Sequence, residues 1–272
     1  MARSDSLLNA ETSRRLPAVD GLRGLLALVV LSHHLLVRFG GTWLFKPSDL
    51  AVCGFFTLSG YVLTRSWDGR FGLFLARRFL RLWPVYALCL AVGYAIAGVS
   101  PVVSQFFWFP VLTANAKPEI DPPIWSLCIE AWAMLFMPFF VWAGTGKPWR
   151  AIVGAVATYA AGYLYLKLNF GLFFIAGAFL SRWEFRERFL ESPIPQWLGR
   201  VSYSLYLSHW LVFALAWRLF GDIGLIASLP IAFATGWLVW RYVEMPSIRL
   251  SRRVNDIARA RKVRSPAIAA AE

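Results

Sequence analysis

From Leu82 to Ala116 the chain runs 35 residues without a single Asp, Glu, Lys or Arg. A helix rises about 1.5 Å per residue and needs roughly 20 mostly apolar residues to cross the hydrocarbon of a bilayer. The run is too long for one span and too short for two with a loop, and Ser100-Pro101 and Pro110 interrupt it. A span near 82–100 followed by an interfacial or re-entrant segment over 101–116 meets both constraints, provided protein or water satisfies the irregular backbone. Seven further stretches qualify, near 19–38, 47–65, 124–143, 150–167, 168–183, 199–220 and 223–241. The expected fold is an all-α, polytopic transmembrane helix bundle of about eight spans. Composition agrees: charged residues make up 16% of the 272, against about 25% in a soluble domain. That excludes a disordered chain, a coiled coil and an ordinary cytosolic enzyme.

The net charge of +13 would suggest a nucleic-acid partner in a soluble protein, but the basic residues lie between the apolar runs. With the N-terminus inside, 23 of the 28 fall on cytoplasmic segments and 5 (Arg38, Lys46, Lys117, Lys167 and Arg218) outside, as the positive-inside rule requires. Both termini are thus expected in the cytoplasm, and the lipid bilayer, with no nucleic acid, accounts for the charge. The expected organisation is a cytoplasmic segment over 1–18, a membrane domain over 19–246 and a basic, disordered tail over 247–272. No cleavable signal peptide is expected, since residues 1–18 are polar. Cys53, Cys89 and Cys128 fit neither a disulfide framework nor a zinc site and are expected to pack. Arginine outnumbers lysine 23 to 5, a composition that fits a bacterial inner-membrane protein.

Ionisable groups inside spans are costly, which makes each one a functional candidate. The first stretch, VDGLRGLLALVVLSHHLLVRF, carries Arg23 and His34 eleven positions apart. On a helix they fall about 20° apart in azimuth and about 16 Å apart along the axis, on one face. His33 is turned roughly 80° from Arg23 and leaves that face. The plain alternative for His34 is a hydrogen bond to a neighbouring helix. Glu130, in IWSLCIEAWAMLFMPFF, falls about 9 Å below the outer edge, in the same half as His34. It is either a carboxylate that orients the imidazole, as in a nucleophile–base–acid system, or a neutral carboxyl bonded to Trp or Ser.

Tyr203, Tyr206 and His209 recur every three residues in VSYSLYLSHWLV, a stripe suited to joining helices or lining a substrate path. Arg77, Arg78 and Arg81 in FLARRFLRLWPVY group guanidinium ions, which suit phosphate and equally suit a positive-inside anchor. Ser59-Gly60 in FFTLSGY permits a close approach of helices or of a ligand.

These strings occur together in one family. The chain resembles the acyltransferase-3 family of integral membrane O-acyltransferases over about Leu16 to Pro246. Arg23 and His34 match its Arg-x10-His motif, and FFTLSGYVLT, RRFLRLWPVY, IWSLCIEAW and GRVSYSLYLSHW follow in the family's order. The resemblance implies transfer of an acyl group, with acetyl one candidate, from acyl-CoA to a hydroxyl of a carbohydrate, envelope glycan or glycosylated small molecule. It implies His34 and Glu130 as catalytic, and Arg23, Arg78 and Arg81 as donor-binding. Ser59, Tyr61, Trp125, Tyr206 and His209 are the candidate substrate-binding residues. Two departures stand out: members typically have about ten spans, and the usual second acidic residue is replaced by Ala131. No appended soluble catalytic domain is read, so a relay to a fused hydrolase-like module is not expected.

On this reading His34 acts as general base or takes the acyl group itself, and no metal or permanently bound cofactor is needed, because a thioester is already activated. The rival reading is a transporter or flippase of a glycan or lipid intermediate. Transporters often show internal repeats, and the two halves of this chain show none.

Overall fold

The computed structural model describes residues 16–38, 46–107, 122–164 and 168–269, and among them the chain is all-helical with no strand. The helices are α1 (Pro17–Arg38), α2 (Pro47–Ser66), α3 (Phe71–Ala97), α4 (Ile124–Leu135), α5 (Met137–Thr145), α6 (Pro148–Leu164), α7 (Gly171–Leu180), α8 (Pro193–Val239) and α9 (Met245–Ala269), with a π-helical turn over Trp240–Glu244. Among the described residues each of the eight apolar stretches overlaps helix. Residues 17–37, 71–97 and the run 193–258 are long and apolar enough to cross a membrane, and α4 with α5, bent by 74°, make a fourth if counted as one span. Residues 108–116 of the expected re-entrant segment lie outside the described residues.

The ends of the helices follow local chemistry. Pro47 opens α2 with Asp49 in its first turn and Arg65 in its last, complementing the helix dipole. Gly98 closes α3 at φ 68°, and its amide bonds to the carbonyls of Tyr94 and Ala95. A continuous α8 of 47 residues would extend about 70 Å, more than twice the roughly 30 Å of hydrocarbon. Gly221, at φ 61° and ψ −146°, breaks it. The two arms, 193–220 and 222–239, fold back on each other, so that a Cβ at Gly236 would lie 3.0 Å from the Leu205 Cα.

Contacts fix the relative directions of the helices. α1 runs with the first arm of α8: Gln196 donates to the Pro17 carbonyl at one end and His34 meets His209 toward the other. α3 also runs with that arm, since Tyr203 bonds to the Leu82 carbonyl and Arg218 to that of Ile96. α6 and α7 are antiparallel, with Gly154 beside Ile175 and Gly171 beside Thr158. One end of the bundle therefore gathers Pro17, the 67–70 loop, Gly146 and the 181–192 loop; the other gathers Ala97 and Gly221.

The main core cluster sets six aromatic side chains, Phe56, Phe74, Tyr86, Tyr94, Phe140 and Phe174, among a larger number of aliphatic ones. Outward, α6 exposes Ile152, Val156 and Tyr159 along one face, as a helix against lipid does. After α3 the chain makes a short 3₁₀ turn, Val103–Phe107, that docks on that helix. Tyr86 and Tyr94 donate to the Gln105 carbonyl and side chain, and Trp83 to the Phe106 carbonyl. Protein groups thus satisfy this irregular backbone, as the hydrocarbon demands.

The expectation of a disordered tail over 247–272 is corrected: the chain is helical from Met245 to Ala269. Ser251 donates to the Arg77 carbonyl and Asn255 accepts from the Arg77 guanidinium, so successive turns of α9 rest on α3. None of Cys53, Cys89 and Cys128 forms a disulfide.

Candidate active site

Helix α1 carries the two ends of the site. At the Pro17 end, Arg23 faces Arg78 and Arg81 of α3. Coulombic interactions link Arg23 to Arg81, Asp20, Glu130 and Glu244, and Arg78 to Arg81, Glu130, Arg23 and Arg77. Among the described residues none of Arg23, Arg78 and Arg81 makes a hydrogen bond or ion pair. All three are half-buried. Clustered guanidinium groups without hydrogen-bond partners favour an anion, and their planar forks suit phosphate or carboxylate.

Arg77, grouped with these residues by sequence spacing, has partners of its own. It bonds to Asn255 at 2.9 Å and lies 3.8 Å from Asp68. Partial burial works against ionisation of Asp68, but hydrogen bonds from Arg70 and the charges of Arg77 and Arg70 outweigh it and hold the carboxyl below its ordinary value.

At the other end of α1, His34 Nδ1 is 2.9 Å from His209 Nε2, and His209 Nδ1 is 3.1 Å from the Leu205 carbonyl oxygen. The edge of Trp210 meets the His34 ring, and the edge of Phe213 meets that of His209. His33 is buried beside them with its Nδ1 unpartnered.

Of the two readings of Glu130, the structure shows the hydrogen bond to a serine. Glu130 accepts a hydrogen bond from Ser59 at 3.0 Å and acts electrostatically on Arg23 and Arg78. Six residues into α4, the carboxylate lies within electrostatic reach of these arginines. Ser59 thus serves Glu130, while Gly60 provides the close approach: a Cβ there would lie 2.3 Å from the Phe174 carbonyl oxygen of α7.

The other candidates spread along the bundle. The Tyr61 hydroxyl donates to the Trp183 carbonyl at 2.8 Å and receives Arg65 at 2.7 Å, so it holds the 181–192 loop. Trp125 stacks edge-on against Phe56 and tilts against Phe170. Ser126 donates to the Pro123 carbonyl, so the Tyr206 hydroxyl, 2.7 Å away, donates to Ser126. The stripe on α8 thus reaches three helices in turn: Tyr203 to α3, Tyr206 to α4 and His209 to α1.

Glu244 was not among the sequence candidates. It is 3% exposed at the end of the π turn, accepts from Ser204 at 2.6 Å and interacts with Arg81 and Arg23. A π turn shifts the following side chains around the helix and often marks a functional site. The available signal was a lone carboxylate in the apolar string WLVWRYVEMPSI.

The family model described as an acyltransferase domain matches residues 16–193, which contain Arg23, His34, Arg78, Arg81 and Glu130. The chain belongs to the acyltransferase-3 family. It is similar to the peptidoglycan O-acetyltransferase OatA of Listeria monocytogenes, 31% identical over 153 residues that cover 46% of this chain and 24% of that protein. It is also similar to protein 2 in the picA locus of Rhizobium radiobacter, 40% identical over 81 residues, 27% of this chain and 41% of that one. The chain therefore spans less than half the length of these curated relatives. No solved structure matches it.

Proposed function

We propose that the protein is a membrane O-acyltransferase that moves an acyl group, acetyl in the simplest case, from acyl-CoA to a hydroxyl of a saccharide. Peptidoglycan or another envelope glycan is the favoured acceptor, because OatA is named for that substrate. One observation carries the reading: a single helix places Arg23 in an anion-seeking arginine cluster at one end and His34 in an imidazole pair toward the other, about 16 Å apart. Acyl-CoA has the same polarity, with phosphates at one end of an extended arm and the thioester at the other.

Arg23, Arg78 and Arg81 hold the donor phosphates. Glu130 and Glu244 limit the mutual repulsion of these guanidinium groups and keep them apart. His34 takes the proton of the acceptor hydroxyl as its oxygen forms a bond to the thioester carbonyl carbon. The carbon–sulfur bond then breaks, and the leaving thiolate recovers the proton from His34, giving the ester and free CoA.

In this reading the eight alternating passes, counting α4 with α5 as one, cross the bacterial inner membrane with both termini cytoplasmic. The arginine end then faces the compartment that supplies CoA, and the histidine end meets an acceptor outside. Support comes from the helix directions and from the excess of basic residues on the inner segments.

The test is purified protein in nanodiscs with radiolabelled acetyl-, propionyl- and longer acyl-CoAs, with extracted envelope glycans or glycosides as acceptors. Label should move to the glycan or be released by hydrolysis, and His34→Ala should abolish both. Donor turnover by His34→Ala at the wild-type rate sinks the mechanism, and transbilayer movement of a glycan lipid without donor consumption sinks the enzyme reading.

A further inference from the structure

The histidine pair has a direction that hydrogen-bond bookkeeping fixes. A carbonyl oxygen only accepts, so the contact between His209 Nδ1 and the Leu205 oxygen requires the hydrogen on Nδ1. His209 is 1% exposed, and among the described residues no carboxylate bonds to it. A buried imidazole without a counter-charge stays neutral, so it has one hydrogen and its Nε2 is bare. The 2.9 Å contact to His34 then requires that His34 Nδ1 donates. Neutral His34 is left with a bare Nε2. Among the described residues that nitrogen has no hydrogen-bond partner, and His34 is only half-buried, so the nitrogen faces accessible space.

The arrangement is also rigid. The two ring planes lie within 15° of parallel, and a 2.9 Å contact is closer than the roughly 3.5 Å at which ring faces touch. The rings therefore meet edge to edge, as a hydrogen bond requires. His209 is tied to the carbonyl four residues earlier on its own helix, so α8 sets its orientation and passes that orientation to α1.

We infer that His209 is a positioning residue for the reaction: it holds His34 in the Nδ1–H tautomer and presents His34 Nε2 as the single basic nitrogen facing the acceptor hydroxyl. This inference rests on the proposed acyltransferase reading for its kinetic consequence, but not for the tautomer. It gives His209 the orienting part that a carboxylate plays in a nucleophile–base–acid system. When His34 Nε2 takes the acceptor proton, the ring becomes a cation and its Nδ1–H bond to His209 becomes charge-assisted. The protonated intermediate is stabilised although no proton passes to His209. A residue serving only to join helices would work with the hydrogen on either ring.

The chain has three histidines, so protein labelled with ¹⁵N-histidine shows three imidazoles, and a His33→Gln variant leaves the two of interest. In nanodiscs, His34 and His209 should each show a protonated Nδ1 and a bare Nε2. His209→Ala should shift His34 away from that tautomer and lower kcat roughly ten- to a hundredfold at unchanged donor KM. In His209→Gln the side-chain oxygen can accept from His34 Nδ1, so this variant should keep the tautomer and recover most of kcat. A His34 carrying its hydrogen on Nε2 in the unmutated pair overturns the inference whether or not any variant folds. Equal losses of kcat in the Ala and Gln variants with the tautomer unchanged overturn it as well. If the tautomer is as stated but no acyl transfer occurs, the function reading fails and the geometry stands.

Discussion

Arg23 and His34 share a helix face but not an environment, and their loss should affect different steps. Arg23→Ala removes one of three clustered guanidinium groups and should raise the donor Kd by roughly tenfold or more. His34→Ala should leave Kd unchanged and lower the single-turnover rate by about 10²- to 10⁴-fold. Binding of labelled acyl-CoA and rapid-quench turnover separate the two, and undiminished binding by a variant lacking Arg23, Arg78 and Arg81 together defeats the donor assignment. Glu130 belongs with the arginines, so Glu130→Gln and Arg23→Ala should be non-additive in donor binding, while Glu130→Gln and His34→Ala should act independently on their own steps. Arg23 and His34 were legible because helical period alone puts two costly side chains on one face. The partnership of His34 with His209 was not, since it joins residues 175 positions apart. The reading of Glu130 as the partner of His34 relied on depth in the membrane, which says nothing about azimuth. Glu244 escaped because it lies after the last expected span and is turned inward by a π turn that no periodicity announces.

At the scale of elements, the bundle depends on a few positions where no side chain fits. A Cβ at Gly177 of α7 would fall 1.9 Å from the Thr57 carbonyl oxygen of α2, a backbone atom that moves only with its helix. Gly177→Ala should therefore destabilise the protein by about 1–3 kcal/mol. Gly221→Ala meets open space but must adopt φ 61° and ψ −146°, a conformation almost confined to glycine, and should cost about 1–3 kcal/mol. Thermal unfolding in detergent tests both, and a wild-type midpoint for either variant contradicts its argument. Ser204→Ala removes the hydroxyl donor of the buried Glu244 carboxyl and should cost a similar amount. The helices themselves were readable from apolar run length, and the turn at Gly221 falls in the gap left between the last two stretches. The order of α9 was not readable: composition registers a basic, alanine-rich tail, but not that Ser251 and Asn255 fall on successive turns against Arg77.

At the scale of the molecule, the alternation of helix directions makes a prediction that composition alone leaves open. Arg218 bonds to the Ile96 carbonyl, which brings the end of α3 beside the turn at Gly221. At the opposite end Gln196 and the 181–192 loop close over the start of α1, and α9 lies against the start of α3. Asp222 and Glu187 are exposed and stand at these two ends. If the arginine end faces the cytoplasm, as the basic residues require, the two sites lie on opposite sides of the bilayer. Cys53, Cys89 and Cys128 are first replaced, and then Asp222→Cys and Glu187→Cys are made singly. An impermeant thiol reagent should label Asp222→Cys in spheroplasts and Glu187→Cys only after permeabilisation. The reverse pattern inverts the protein and puts the donor site on the side without CoA. Labelling of both in sealed cells removes one pass between them, and α8 would then no longer carry its first arm across the membrane. The expected pattern puts His34 and His209 toward the outer face, where an envelope glycan can reach Nε2, and leaves the donor to enter past Arg78 and Arg81 from within.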